Sequence, residues 1–193
     1  EGIARVADGF WIASEGATVD GNELIKVNAA GAVQQRIKLP ASVQAKFANA
    51  KTSTGYEGVA ASADGQTLYM AIQRGYDLGK PQAAILKLHL PTMAWTSAFY
   101  PLEQHSKDAK TYWMGLSEIQ LMEGGPGSQD DRLLLLERDK GGGEGRAINA
   151  EVKRVYSVDA ADVVEGAVLK KTLVKDLRQD FNWLHEKAEG MVV

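Results

Sequence analysis

The sequence predicts an all-β protein, a β-propeller assembled from four-stranded blades, and three observations carry that prediction. The first is a hairpin signal: Tyr56-Glu57-Gly58-Val59-Ala60, then Ala63-Asp64-Gly65-Gln66, then Leu68-Tyr69-Met70-Ala71-Ile72. Asp-Gly between two apolar runs marks a tight turn, because glycine adopts positive φ at no steric cost. The second is that the unit recurs. Glu1-Gly2-Ile3-Ala4-Arg5-Val6, Ala7-Asp8-Gly9 and Phe10-Trp11-Ile12-Ala13-Ser14-Glu15 form one copy. A degenerate copy runs from Leu116-Ser117-Glu118-Ile119-Gln120-Leu121 through a longer Gly-rich loop at 123–132 to residues 133–137, and another begins at Ala188-Glu189-Gly190-Met191-Val192-Val193. The third is a glutamate at the same point of each copy: Glu1, Glu57, Glu118 and Glu189. Each interval has room for about four short strands. A β-sandwich of irregular hairpins gives no reason for that recurrence.

The remaining strands fall between these hairpins. In the first interval they are 23–28 and 32–39, around a turn at Ala29-Ala30-Gly31. In the second they are 84–90 and 95–100, around Pro91-Thr92-Met93, and in the third 152–158 and 167–174, with 159–166 between them. Helix is scarce, with short candidates at 41–50 and 181–187. Three blades and the first strand of a fourth do not close a ring, since closed propellers have roughly 4–8 blades. The expectation is therefore one domain over residues 1–193 that is part of a larger ring, whose open strand edges would otherwise invite aggregation.

Composition removes several function classes. The chain has 193 residues and a net charge of −3, with no basic block and no aromatic–basic interleaving, which argues against a nucleic-acid partner. No run of 18 apolar residues occurs, so this segment has no membrane-spanning helix. The absence of cysteine excludes disulfides and thiolate metal sites. His89, His105 and His185 are scattered and form no HxxH or HExxH pattern; His185 stands close enough to Glu189 in sequence to approach the channel. The Gly75-Tyr76-Asp77-Leu78-Gly79-Lys80 stretch has the wrong glycine spacing for a phosphate loop, and Pro81 follows where Ser or Thr should stand. The glycines at 141–145 open no helix, and no GxSxG elbow exists.

The chemistry follows from the repeat. In a propeller the first strand of each blade lines the central channel, so Glu1, Glu57, Glu118 and Glu189 would form an arc of carboxylates there. Glycine after three of the four permits close backbone approach. Crowded carboxylates need a cation or raised pKa values. Hard oxygen donors favour Ca²⁺, or Mg²⁺ in a small site that keeps water. The alternative is that these glutamates bond backbone amides and brace neighbouring blades. A second recurrence aligns FWIASEG, LYMAIQRG and LLLLERD, which makes Glu15, Gln73 and Glu137 equivalent and places Arg74 and Arg138 after two of them. Arginine suits bidentate recognition of phosphate or carboxylate, so a small anionic substrate held by Arg74 and Arg138 above a cation is a coherent site. A plain ion pair of Arg138 with Glu137 or Asp139 is the simpler possibility. Tyr56, Trp113 and Trp183 precede the glutamates and would line a pocket mouth or pack between blades.

At these residues the chain resembles the phytase-like family described as "esterase-like activity of phytase", found in bacterial secreted and periplasmic proteins. The resemblance rests on EGIARVADGFWIASE, GYEGVAASADGQTLYMAIQ, GLSEIQ, LLLLERD, VKRVYSVD and AEGMVV, in that order. It implies a propeller of about six blades when complete, and a periplasmic or secreted location. It also implies a calcium-dependent hydrolase of esters or phosphoesters, with a non-catalytic binding propeller and a lactonase-like metal propeller as alternatives. Glu1, Glu57, Glu118, Glu189, Glu15 and Glu137 match the family's acidic positions and are the expected metal ligands. Glu57 and Glu118 are the expected proton-accepting carboxylates. Gln73 departs from an acid.

Overall fold

The computed structural model describes residues 2–16, 21–44, 55–74, 81–107, 112–124, 130–141, 150–183, 185 and 188–192. Among them the chain is all-β, with three four-stranded antiparallel sheets in which every strand pairs with its sequence neighbour, the arrangement of propeller blades. The first blade comprises β1 (Gly2–Val6), β2 (Gly9–Ser14), β3 (Glu23–Asn28) and β4 (Val33–Lys38). The second comprises β5 (Tyr56–Ala61), β6 (Thr67–Ile72), β7 (Gln82–His89) and β8 (Ala94–Pro101). The third comprises β9 (Met114–Met122), β10 (Arg132–Asp139), β11 (Lys153–Asp159) and β12 (Thr172–Asp176). The first strands pack side by side, β1 against β5 and β5 against β9.

The Asp-Gly hairpin forms as its chemistry requires. Gly65 sits at φ +67°, its N–H donates to the Ser62 carbonyl, and the Asp64 carboxylate accepts from the Gln66 N–H and the Ser62 hydroxyl. Alternation with a period of two then sorts the second blade between two cores. Leu68, Met70, Ile72, Leu86 and Leu88 join Trp11, Ala13, Leu24 and Leu39 of the first blade. Ala71, Ala83, Ile85, Ala98 and Tyr100 join Leu116, Ile119, Leu133, Leu135 and Val158 of the third.

Two expectations need correcting. The outermost strand of the third blade is Thr172–Asp176, not 167–174. The preceding residues cross to the second blade, where Ala167 and Leu169 exchange backbone hydrogen bonds with Phe99 and Val168 bridges it in parallel. Glu165 fixes this strap by accepting from the Ser97 N–H and hydroxyl. An outer strand leaves one row of peptide groups unpaired, and the strap supplies partners for it. The second helix, α2, spans Leu177–Phe181, upstream of the expected 181–187. Asp176 caps it by accepting from the Arg178 and Gln179 amides, and Asn182 ends it in the left-handed conformation. The first helix, α1, spans Ala41–Gln44; the rest of its expected range, 45–50, lies outside the described residues, as does the 75–80 stretch.

Candidate functional site

The inner hairpins converge at one end, where β5 and β9 begin and β2, β6 and β10 finish. The backbone approach there depends on missing side chains. A Cβ on Gly2 would lie 2.6 Å from the Gly58 Cα, and a Cβ on Gly58 would lie 2.6 Å from the Glu118 carboxylate and 2.7 Å from the Ile119 nitrogen. Glycine at 2 and 58 thus lets three first strands close on one another.

The same contacts fix which residues correspond between blades, and the answer differs by one position from the aligned sequence. In the second blade Gly58 pairs with Ala71 and Tyr56 with Ile72, leaving Glu57 in a bulge. In the third, Glu118 pairs with Leu136 and Leu116 with Glu137, leaving Ser117 in the bulge. Gly2 pairs with Ala13 in the first. Glu118 is therefore the counterpart of Gly2 and Gly58, and Ser117 the counterpart of Glu57. On the second strands, Ser14, Ile72 and Glu137 correspond, and so do Glu15, Gln73 and Arg138. Arg74 matches Asp139, so Arg74 and Arg138 are not equivalents. Both blades carry the bulge at the same place, so the offset lies in the glutamates themselves: Glu57 fills the bulge in the second blade, whereas Glu118 stands one residue past it in the third.

Five of the expected residues meet. Glu57 accepts a hydrogen bond from the Gln73 side-chain amide, and its electrostatic neighbours among the described residues include Glu15, Arg138 and Glu189. Burial raises its carboxyl to about 7; Glu15 and Glu189 add to the rise and Arg138 opposes it. Arg138 is buried, lies 3.7 Å from the Glu189 carboxylate and 5.1 Å above the Trp113 ring. Arg74 lies 4.5 Å from the centre of the same ring. Trp113 is thus the seat for both guanidiniums, a role that neither packing nor a pocket mouth had anticipated. The Gln73 carbonyl accepts from the Leu116 N–H, and the Trp113 carbonyl from the Lys140 N–H, which pins the platform to two blades.

The other expected ligands sit elsewhere. Glu118 is buried under Gly58, where its carboxylate accepts from the Ile119 N–H; burial raises it to about 7, against that hydrogen bond. Glu137 faces away from the centre into the contact between the second and third blades. It accepts from the Tyr100 hydroxyl at 2.9 Å and from Lys171 at 2.7 Å, and also from the Glu103 N–H. Burial raises its pKa, with Lys171 pulling the other way. Glu1 lies outside the described residues. Among those described, no three acidic or imidazole side chains are arranged to hold a metal ion.

A second polar group escaped the sequence reading. Lys153 is fully buried, and its ammonium donates to the Asp139 carboxylate at 2.8 Å and to the carbonyls of Asp139 and Gly141. Asp139 also accepts from the amides of Gly141, Glu151 and Val152. His105 stacks on Tyr112 and lies 3.7 Å from Asp139. This cluster anchors the chain just past Arg138, and no spacing in the sequence announces it. His89 bonds Thr92 at the rim and His185 meets Trp183 edge-on.

No helix among the described residues is long and apolar enough to cross a membrane. Searches of curated proteins and of solved structures returned no match. The family model described as phytase-like, "Esterase-like activity of phytase", matches residues 1–193 from end to end, over the same hairpins that build the three blades and their converging carboxylates, and the chain belongs to that family.

Proposed function

We propose that this chain carries the reacting groups of a hydrolase acting on ester or phosphoester bonds of a small anionic substrate. The observation that carries the reading is the Glu57 carboxyl beside the Arg138 guanidinium, with Arg74 seated on the same indole, Trp113, as Arg138. Arg74, half-buried and with no ion-pair partner among the described residues, is the group that meets the substrate's anionic oxygens. Arg138 adds its charge from deeper in the protein. Glu57, with its carboxyl near 7, is poised to take a proton from water as the water oxygen bonds to the ester carbon or phosphorus. It then returns the proton to the departing alcohol oxygen as that bond breaks. The Gln73 amide holds the carboxyl in place through the transfer.

Calcium, the cofactor expected from the carboxylate repeat, does not fit the described donors as they stand. Among the described residues no three histidine, aspartate or glutamate side chains are placed to hold it together, and an arginine occupies one of the recurring positions. No step above runs through a metal. A second reading, a binding propeller braced by its carboxylates, is favoured by Glu137 of the third blade, which accepts from the Tyr100 hydroxyl and the Glu103 amide on the second blade's side and so joins the two.

The test is hydrolysis of an aryl phosphate and an aryl acetate, with and without added Ca²⁺, by the parent chain and by Glu57→Gln and Arg74→Met. Turnover that falls about 100-fold or more in Glu57→Gln supports the hydrolase, and a raised KM in Arg74→Met supports its anion-holding role. Parent protein that is folded and inert on both substrates in both conditions leaves the binding module.

A further inference from the structure

We infer that the Arg138 guanidinium is the resident cation of the carboxylate centre and takes the place that the carboxylate pattern leaves for a divalent metal. The argument starts from register. Ala13, Ala71 and Leu136 pair with Gly2, Gly58 and Glu118, so the residues two positions further along correspond: Glu15, Gln73 and Arg138. Two blades place an oxygen-bearing side chain there and the third places a permanent positive charge. The bulge position changes in the same blade. Where the second blade has Glu57, the third has Ser117, whose hydroxyl donates to the Ala188 carbonyl at 2.6 Å. The third blade thus removes one carboxylate from the arc and adds one cation.

The surroundings of Arg138 fit that role. Its side chain is 4% exposed, so water screens its charge little. A charge buried to this degree needs a counter-charge. Its carboxylate neighbours are Glu189, 3.7 Å away, and Glu57, whose ionised form it favours. The Trp113 ring covers another side of the guanidinium. Its Nε is buried without a hydrogen-bond partner among the described residues, so this cation retains donor capacity toward the centre. Glu57 already has one oxygen engaged by the Gln73 amide, which leaves it a poorer ligand for an incoming ion. A divalent ion here would meet a fixed like charge in a weakly screened site, and the guanidinium cannot discharge by losing its proton.

This inference concerns the charge balance of the centre and does not rest on ester hydrolysis. Its test reads binding and stability and needs no substrate. Chelator-treated protein, the whole 193-residue chain, is titrated with Ca²⁺ by calorimetry and melted with and without Ca²⁺, as the parent, Arg138→Lys and Arg138→Met. The parent and Arg138→Lys should show no stoichiometric calcium binding and no calcium-dependent change in Tm. Arg138→Met should melt lower and regain roughly 4 °C or more in millimolar Ca²⁺, because removing the cation opens its place to another. One calcium bound by the parent and lost in Glu57→Gln would overturn the inference, even if Arg138→Met does not fold. A folded Arg138→Met that ignores calcium would overturn it as well.

Discussion

The contact between the first and second blades and the contact between the second and third use the same strand positions and opposite chemistry. In the first contact Trp11, Leu24, Leu39, Tyr56, Met70 and Ile72 make a continuous apolar layer. In the second the apolar layer of Leu116, Leu133 and Leu135 is interrupted at the position of Ile72 by Glu137. Glu137 brings Lys171, Tyr100, Glu103 and Tyr156 with it. The Lys171 ammonium reaches Glu137 at 2.7 Å and Glu103 at 3.3 Å and lies over the rings of Tyr100 and Tyr156, and the Tyr156 hydroxyl donates to Glu103. Apolar layers adhere without regard to orientation, whereas a carboxylate with three directed donors accepts one geometry. The second contact is therefore the one that sets how two blades align, and the first is the one that supplies plain adhesion.

Substitutions can break this contrast. Trp11→Ala should have the largest effect, costing about 4 kcal/mol of unfolding free energy, because it opens a large void in the apolar contact. Denaturant titrations at pH 5 and pH 8 should return nearly the same loss, since the buried residues clustered with Trp11 carry no group that titrates between those values. Lys171→Met should cost about 3 kcal/mol near neutral pH by leaving the buried Glu137 carboxylate without its cation. That loss should shrink in acid. Glu137 already has its pKa raised by burial, and without Lys171 it rises further, so the folded variant gains protons as pH falls and recovers stability. Equal losses at both pH values would erase the distinction between the two contacts.

A further contrast belongs to the inner end, where both contacts meet. Burial pushes Glu57 and Glu118 each up to about 7 in the folded protein, from the ordinary glutamate value of 4.5. Folding therefore takes up protons between those values. The stabilisation is complete below about 4.5 and fades as pH rises through about 7. Thermal melts of the parent should show Tm falling over that window, and Glu57→Gln should flatten the slope without moving the acid-side value much. A parent whose Tm rises from pH 4.5 to 7 would contradict the burial of these two groups.

The hairpins were legible because Asp64-Gly65 and the alternation of Leu68, Met70 and Ile72 are local, and local geometry is written in adjacent residues. The recurrence of glutamate was legible too, and it led to the correct inner strands. It also misassigned the third blade by one residue, since its glutamate stands one position past the bulge that Glu57 fills in the second, and which residue fills a bulge is decided by pairing across strands. That single offset moved Glu137 from the expected centre into a blade contact and put Arg138 where an acid was sought. Lys171 and Glu137 are 34 residues apart and Tyr100 and Glu137 are 37, and no motif encodes such a meeting. The Asp139–Lys153 cluster is equally silent in sequence, because a lysine in a strand looks like a solvent-facing residue until its neighbours are known.

The strap that carries Glu165 and Ala167 from the third blade onto β8 has a mechanical consequence. It ties the rim of the second blade to the body of the third, so neither can swing open while the strap is seated. The rim of the first blade, β4, is largely exposed and bears no such tie among the described residues. In hydrogen-exchange terms the second and third blades should open as one cooperative unit, and the amides of β3 and β4 should exchange earlier and independently. A chain of similar sheets is thereby divided into a hinged leaf and a locked pair, and the boundary between them runs along the apolar layer around Trp11.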